Sequence, residues 1–174
     1  MDGLCLNNNI LTSVGGKALV EIAYFDDLNE GDVFWSDEVL VDPDEMLAYN
    51  QKYDPWPIHV DDELAEKSPF GRIIASGGYT ISLMYQASHM IYNNDTRQWA
   101  FLGGFDWTVK FPAPVRAMDR LRNKFIILMT KPSQKGGRGT VKATTEVFNQ
   151  NDELVLFIEV LFLLATRPKV ANSQ

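Results

Sequence analysis

From Gly78 to Tyr92 the chain carries apolar or small side chains around most of a helical circumference. Ile81, Met84, Tyr85, Ser88 and Tyr92 recur at three- and four-residue steps, and Leu83, Ala87 and Ile91 widen the stripe. A helix apolar on most sides is buried on most sides, so this segment predicts one long helix enclosed by the rest of the chain. The remainder of the chain beyond this helix reads as strand: Trp99 to Phe111, Arg120 to Thr130, Gly139 to Asn149 and Glu153 to Thr166. Val141, Ala143, Thr145 and Val147 alternate with Lys142, Thr144 and Glu146, which gives one dry and one wet face. Leu154 to Ala165 is apolar almost throughout, the pattern of a central strand covered on both faces. Val33 to Val41 adds a fifth strand. One helix among about five mostly antiparallel strands predicts an α+β architecture, a sheet wrapped around a single long buried helix. Such a sheet has open edges, and pairing with a second copy hides one; a homodimer or higher homo-oligomer is expected.

The 174 residues suit one domain, expected over 19–169, with a flexible lead-in at 1–18 and a loose tail at 170–174. The single cysteine, Cys5, excludes an internal disulfide framework and fits a reducing, cytoplasmic setting. No basic segment precedes an apolar run near Met1, so no signal peptide is expected. Leu154 to Ala165 is interrupted by Glu159 and is shorter than the roughly 20 residues that span a bilayer; no membrane partner is expected. An acidic balance, −7 overall with a pI near 4.8, argues against a nucleic-acid partner. The charge is divided: residues 1–69 hold 16 acidic and 3 basic side chains, residues 70–174 hold 7 acidic and 13 basic.

Local signals place the smaller elements. Asp42-Pro43-Asp44-Glu45 opens a helix, with Asp42 as N-cap, Pro43 at the first helical position and Glu45 three residues on. That helix runs to about Lys52 and stops before Asp54-Pro55-Trp56-Pro57, whose two prolines push Asp54 and Trp56 toward extended geometry. Asp61 to Lys67 makes a short polar helix. The chain has no phosphate loop and no strand–Gly-x-Gly-x-x-Gly–helix unit; Gly136-Gly137-Arg138-Gly139 falls between strands and reads as a turn. No Gly-x-Ser-x-Gly elbow surrounds Ser76, and Cys5 in the lead-in is a poor nucleophile. His59 with Asp61 and Asp62 falls short of the three or four converging ligands a zinc site needs, so no metal is expected.

The chemistry concentrates in Tyr53-Asp54-Pro55-Trp56-Pro57-Ile58-His59 and, further on, Ala75-Ser76-Gly77-Gly78. A carboxylate and an imidazole on a proline-stiffened loop can hold one water, take its proton and deliver a proton elsewhere. Gly77-Gly78 opens the apolar helix, where free N–H groups and the positive end of the helix dipole can stabilise an oxyanion. The other histidine, His89, lies well inside that helix and reads as a core or interface residue.

Asp54-Pro55-Trp56-Pro57-Ile58-His59-Val60-Asp61, continued by Ser68-Pro69-Phe70-Gly71-Arg72-Ile73-Ile74-Ala75-Ser76-Gly77, resembles the MaoC-like dehydratases, relatives of (R)-specific enoyl-CoA hydratases. Tyr24 to Asp32, Pro114-Val115-Arg116 and Asn149-Gln150 extend the likeness, which covers about residues 24–166. The resemblance implies a hot-dog fold, a dimer, and hydration of trans-2-enoyl thioesters or the reverse dehydration. It puts Asp54 and His59 at the catalytic carboxylate and imidazole, Gly77 or Gly78 at the oxyanion N–H, and Ser76 at a supporting position. It implies no cofactor: the acyl-thioester substrate itself carries coenzyme A or an acyl carrier. Trp56 stands where the hydratase signature has asparagine, and Met118 where relatives often have glycine before Asp119. Arg72, Lys110, Arg116, Arg120 and Arg122 are candidates for the coenzyme A phosphates. A non-catalytic acyl-thioester-binding or partner subunit, and a hot-dog thioesterase, remain the alternative readings.

Overall fold

The computed structural model describes residues 20–169. The expected lead-in, with Cys5, and the expected tail lie outside the described residues. In chain order the elements are β1 (Glu21–Ala23), β2 (Val33–Trp35), β3 (Val39–Leu40), α1 (Pro43–Tyr53), α2 (Pro57–Val60), α3 (Asp62–Glu66), α4 (Gly77–Tyr92), β4 (Arg97–Trp99), β5 (Phe101–Lys110), β6 (Arg120–Pro132), β7 (Arg138–Phe148) and β8 (Leu154–Ala165), with a 3-10 turn at Phe25–Asp27. The main sheet has the order β2-β6-β7-β8-β5, with β3 also on β6, and its strand pairs are antiparallel. A short parallel pair, β1 with β4, stands apart from it. The sequence pattern marks no strand at Glu21–Ala23, and the single strand it predicts over Trp99 to Phe111 divides at Ala100 into β4 and β5.

The helix α4 lies against the sheet as expected. Leu83, Met84 and Ala87 meet Leu121, Val147, Val155, Leu156 and Ile158 in one buried cluster, each of the larger side chains contributing roughly 1.5–3 kcal/mol on burial. Asn123 of β6 is fully buried and pins the helix, its Nδ2 donating to the Met84 carbonyl at 2.7 Å and to Ser88 Oγ at 2.9 Å. A second cluster gathers Phe25, Ile91, Trp99, Phe125 and Phe162 beside the last turn of the helix.

Three readings need correction. The strand read over Val33 to Val41 breaks at Ser36-Asp37-Glu38, where Ser36 Oγ accepts from Asn123 N at 2.9 Å and donates to the Asp37 carbonyl; both pieces still pair with β6. The apolar strand β8 is central in the sheet but covered on one face. Leu156, Ile158, Phe162 and Leu164 are buried, while Phe157, Leu161 and Leu163 are half-buried beside a Lys142–Glu159 ion pair of 2.8 Å. Finally, α4 is not enclosed on most sides. Ser82, Tyr85, Gln86, His89 and Met90 form an exposed stripe at helical spacing, because the neighbouring sheet edge, β5, is itself exposed.

Candidate active site

Helix α1 begins as its sequence demands: Asp42 Oδ1 accepts from the Asp44 and Glu45 N–H groups at 3.0 and 2.9 Å, and Pro43 occupies the first turn. The Glu45 carboxylate does not return to its own helix; it accepts from the Tyr79 hydroxyl at 3.3 Å. Burial, and then Glu45, push the Tyr79 phenol well above its ordinary range. The helix ends at Tyr53, with Asp54 as its C-cap. Pro55 and Trp56 are non-helical, but Pro57 starts the one-turn helix α2 rather than stiffening a loop, and His59 rides on that turn. Asp61 then caps α3, accepting from Leu64 N at 2.9 Å, so it is occupied as a cap.

This local path brings Asp54 and His59 together. Oδ2 of Asp54 stands 3.8 Å from Nε2 of His59, with the aspartate side chain 37% exposed and the histidine 10%. That separation is too long for a direct hydrogen bond and short enough for one water to bridge. On the far side of the ring, Nδ1 is 2.9 Å from the Ile74 carbonyl. A carbonyl only accepts, so Nδ1 carries a hydrogen and Nε2 is the ring nitrogen that faces the carboxylate.

Ile74 leads directly into Ser76, Gly77 and Gly78. Ser76 is fully buried and caps α4, its Oγ accepting from Tyr79 N at 3.3 Å. Its hydroxyl is therefore structural. Gly77 and Gly78 are the first two residues of α4, where N–H groups have no intrahelical acceptor and the dipole is positive. Their lack of side chains has a steric reason as well. A Cβ at Gly77 would lie 3.0 Å from the Phe111 ring, and one at Gly78 would lie 2.9 Å from the Tyr49 hydroxyl.

The residue that sequence reasoning missed is Asn50. It is fully buried; its Nδ2 donates to the carbonyls of His59 (3.1 Å) and Ile74 (3.3 Å), and its Oδ1 accepts from Ser76 N (3.1 Å). One amide thus ties α1, the His59 turn and the start of α4. The available signal was an amide placed four residues after Met46, on the buried face of an otherwise polar helix.

A cavity of about 580 Å³ lies between the second half of α4 and strands β4, β5 and β8, lined by rings that include Tyr85, Tyr92, Trp99, Phe101 and Trp107. The Trp99 indole N–H is buried without a partner among the described residues. His89, read as a core or interface residue, is not in the core of this chain: it is exposed at this cavity, within 3.1 Å of Asn93 Nδ2. Of the basic candidates, Arg120 pairs with Glu38 at 3.2 Å and Arg122 with Asp152, whereas Arg72 and Lys110 have no acidic partner among the described residues. No group of three or more His, Cys, Asp or Glu side chains converges as a metal site among the described residues, and no described helix is long and apolar enough to cross a membrane.

The 3-hydroxyacyl-thioester dehydratase Z of Mycobacterium tuberculosis is 37% identical over 87 residues, which are 50% of this chain and 55% of that protein. The chain therefore spans about half the length of the curated relatives it matches first. The MaoC-like dehydratase of Rhodospirillum rubrum superposes with a TM-score of 0.76 at 26% identity, covering 84% of this chain and 99% of that one. The unliganded R-hydratase PhaJ1 of Pseudomonas aeruginosa shares the fold, with a TM-score of 0.60 at 21% identity over 87% of this chain and 94% of that one. The expected hot-dog fold is what these superpositions show. The model of the MaoC like domain matches residues 29–150, a span that contains Asp54, His59, Asn50 and the start of α4, and the chain belongs to that family.

Proposed function

We propose that this chain hydrates trans-2-enoyl thioesters to (R)-3-hydroxyacyl thioesters, or runs the reverse dehydration, with Asp54 and His59 as its acid–base pair. The observation that carries the reading is the 3.8 Å gap between the two side chains, with Nδ1 of His59 committed to the Ile74 carbonyl. Nε2 is then the nitrogen left to accept a proton from a water in the gap, and the Asp54 carboxylate accepts that water's other hydrogen. The hydroxide bonds to C3, the C2–C3 π pair moves toward the thioester oxygen, and the imidazolium returns the proton to C2. N–H groups at Gly77 and Gly78 hold the negative charge on that oxygen, strengthened by the helix dipole. Ser76 and Asn50 support the start of the helix.

The rest of the molecule is consistent with an acyl thioester. Two turns of α4, about 12 Å, separate Gly77 from Tyr85 at the edge of the 580 Å³ cavity, which gives an acyl tail an apolar destination. Arg72 comes five residues before α4 and Lys110 adjoins Phe111, whose ring abuts Gly77; neither has an acidic partner among the described residues, and both are candidates for carrier phosphates. A second copy would cover the exposed Phe101, Leu102, Phe105 and Trp107 of β5 together with the Tyr85–Met90 stripe of α4, so we read the working unit as a homodimer. Trp56 is 68% exposed, so its bulk lies in solvent rather than in the core. The name of the M. tuberculosis relative describes the same reaction in the elimination direction.

The test is hydration of crotonyl-CoA and trans-2-octenoyl-CoA, followed by loss of enoyl absorbance. The wild type is expected to turn over, and Asp54→Asn and His59→Gln are each expected to fall by at least about a hundredfold. A wild type that binds these thioesters and hydrates neither would refute the reading and favour the binding subunit.

A further inference from the structure

The start of α4 carries one group that the acid–base pair does not use. Tyr49 sits on α1, one residue before the Asn50 clamp. Its ring packs against Tyr53 at 4.7 Å and Tyr79 at 5.4 Å between centroids. The atom it brings nearest to Gly78 is its hydroxyl oxygen: a Cβ on Gly78 would be 2.9 Å from Oη, against 3.4 and 3.6 Å from Cε1 and Cζ. With a Cα–Cβ bond of about 1.5 Å, the hydroxyl lies within about 4.4 Å of the Gly78 Cα. Tyr49 and Tyr79 differ in one respect. The Tyr79 hydroxyl is committed to Glu45, whereas the Tyr49 hydroxyl has no hydrogen-bond partner among the described residues.

We propose that Tyr49 is a further catalytic residue, its hydroxyl donating to the same thioester oxygen that the N–H groups at the start of α4 hold. The proposal rests on the acyl-thioester reading of this site. A phenolic hydroxyl is a donor as well as an acceptor, and an oxygen bound to a backbone N–H stands about 2.9 Å from the nitrogen. Such an oxygen at the Gly77–Gly78 end of the helix is in the neighbourhood that the Tyr49 hydroxyl occupies. A donor already in place before charge develops costs no reorganisation when the enolate forms. Glycine at position 78 then leaves room for the hydroxyl, which a Cβ would approach to 2.9 Å. The competing account is that Tyr49 only packs against Tyr53 and Tyr79, in which case removing the oxygen alone changes nothing.

Tyr49→Phe keeps the packed ring and deletes the oxygen. Two readouts test it: hydration kcat and KM with crotonyl-CoA, and the carbonyl stretch of bound butyryl-CoA by difference infrared spectroscopy. The expected result is a kcat about ten- to a hundredfold lower, with KM within about threefold, and a carbonyl stretch that moves back toward its solution value. Gly78→Ala, which crowds the hydroxyl while keeping the N–H, is expected to lower kcat in the same way. A Tyr49→Phe enzyme with kcat within twofold of wild type and an unchanged stretch overturns the proposal while the acid–base pair stands. If the wild type hydrates nothing, the acid–base reading falls, and the butyryl-CoA stretch still decides: a Tyr49-dependent shift supports the donor. An independent shift, or no bound thioester, overturns it.

Discussion

Asn50 joins the site together, and its removal has a cost that follows from the structure. Asn50→Ala deletes three hydrogen bonds: to the His59 carbonyl, to the Ile74 carbonyl and from the Ser76 N–H. The Ile74 carbonyl keeps His59 Nδ1 as a partner at 2.9 Å, so the two groups left bare are the His59 carbonyl and the Ser76 N–H. A buried, unsatisfied backbone group costs about 1–3 kcal/mol. Two of them, softened by a water entering the vacated space, give a loss of about 3 kcal/mol. At about 2–4 °C per kcal/mol for a domain of this size, Tm falls by about 6–12 °C. Thermal and urea unfolding, followed by circular dichroism, measure this directly. The same substitution frees the His59 turn from α4, and a displacement of even 1 Å at a reacting group costs about a hundredfold; hydration kcat is expected to fall by at least tenfold. A stability loss below about 1 kcal/mol would refute the reasoning, because it would mean that these backbone groups do not depend on the amide.

Two further expectations concern positions away from the dyad. Met118 holds φ +70° although it is 63% exposed, and the Asp119 carboxylate independently secures the turn by accepting from Arg116 N at 2.8 Å and Gln150 Nε2 at 3.0 Å. Met118→Gly is expected to raise stability by about 0.5–1 kcal/mol in urea unfolding; a loss would show that the methionine side chain does more than fill the turn. Phe105→Lys places a charge on the exposed edge strand β5, where charged residues block edge pairing. It is expected to convert a wild-type dimer to monomer by sedimentation velocity, and a variant that sediments as wild type would place the interface elsewhere.

Much of this molecule is dictated by residues that are neighbours in sequence. Asp42-Pro43 starts α1, Ser76-Gly77-Gly78 starts α4, and alternation marks β7, because caps, prolines and strand periodicity act over a few residues. Asp54 and His59 are legible for the same reason: only four residues separate them, which keeps the two side chains within reach of each other. Tertiary structure decided the rest. Which nitrogen of His59 is free depends on a carbonyl fifteen residues away, the Asn50 clamp spans up to 26 residues, and the Tyr49 hydroxyl meets Gly78 only because α1 lies against α4. Burial obeyed the same rule. The apolar patterns of α4 and β8 predicted cover on most sides, yet His89 and Tyr85 are exposed and β8 is covered on one face, because hydropathy states what a segment tolerates while the neighbours that reach it are set by how the whole sheet closes.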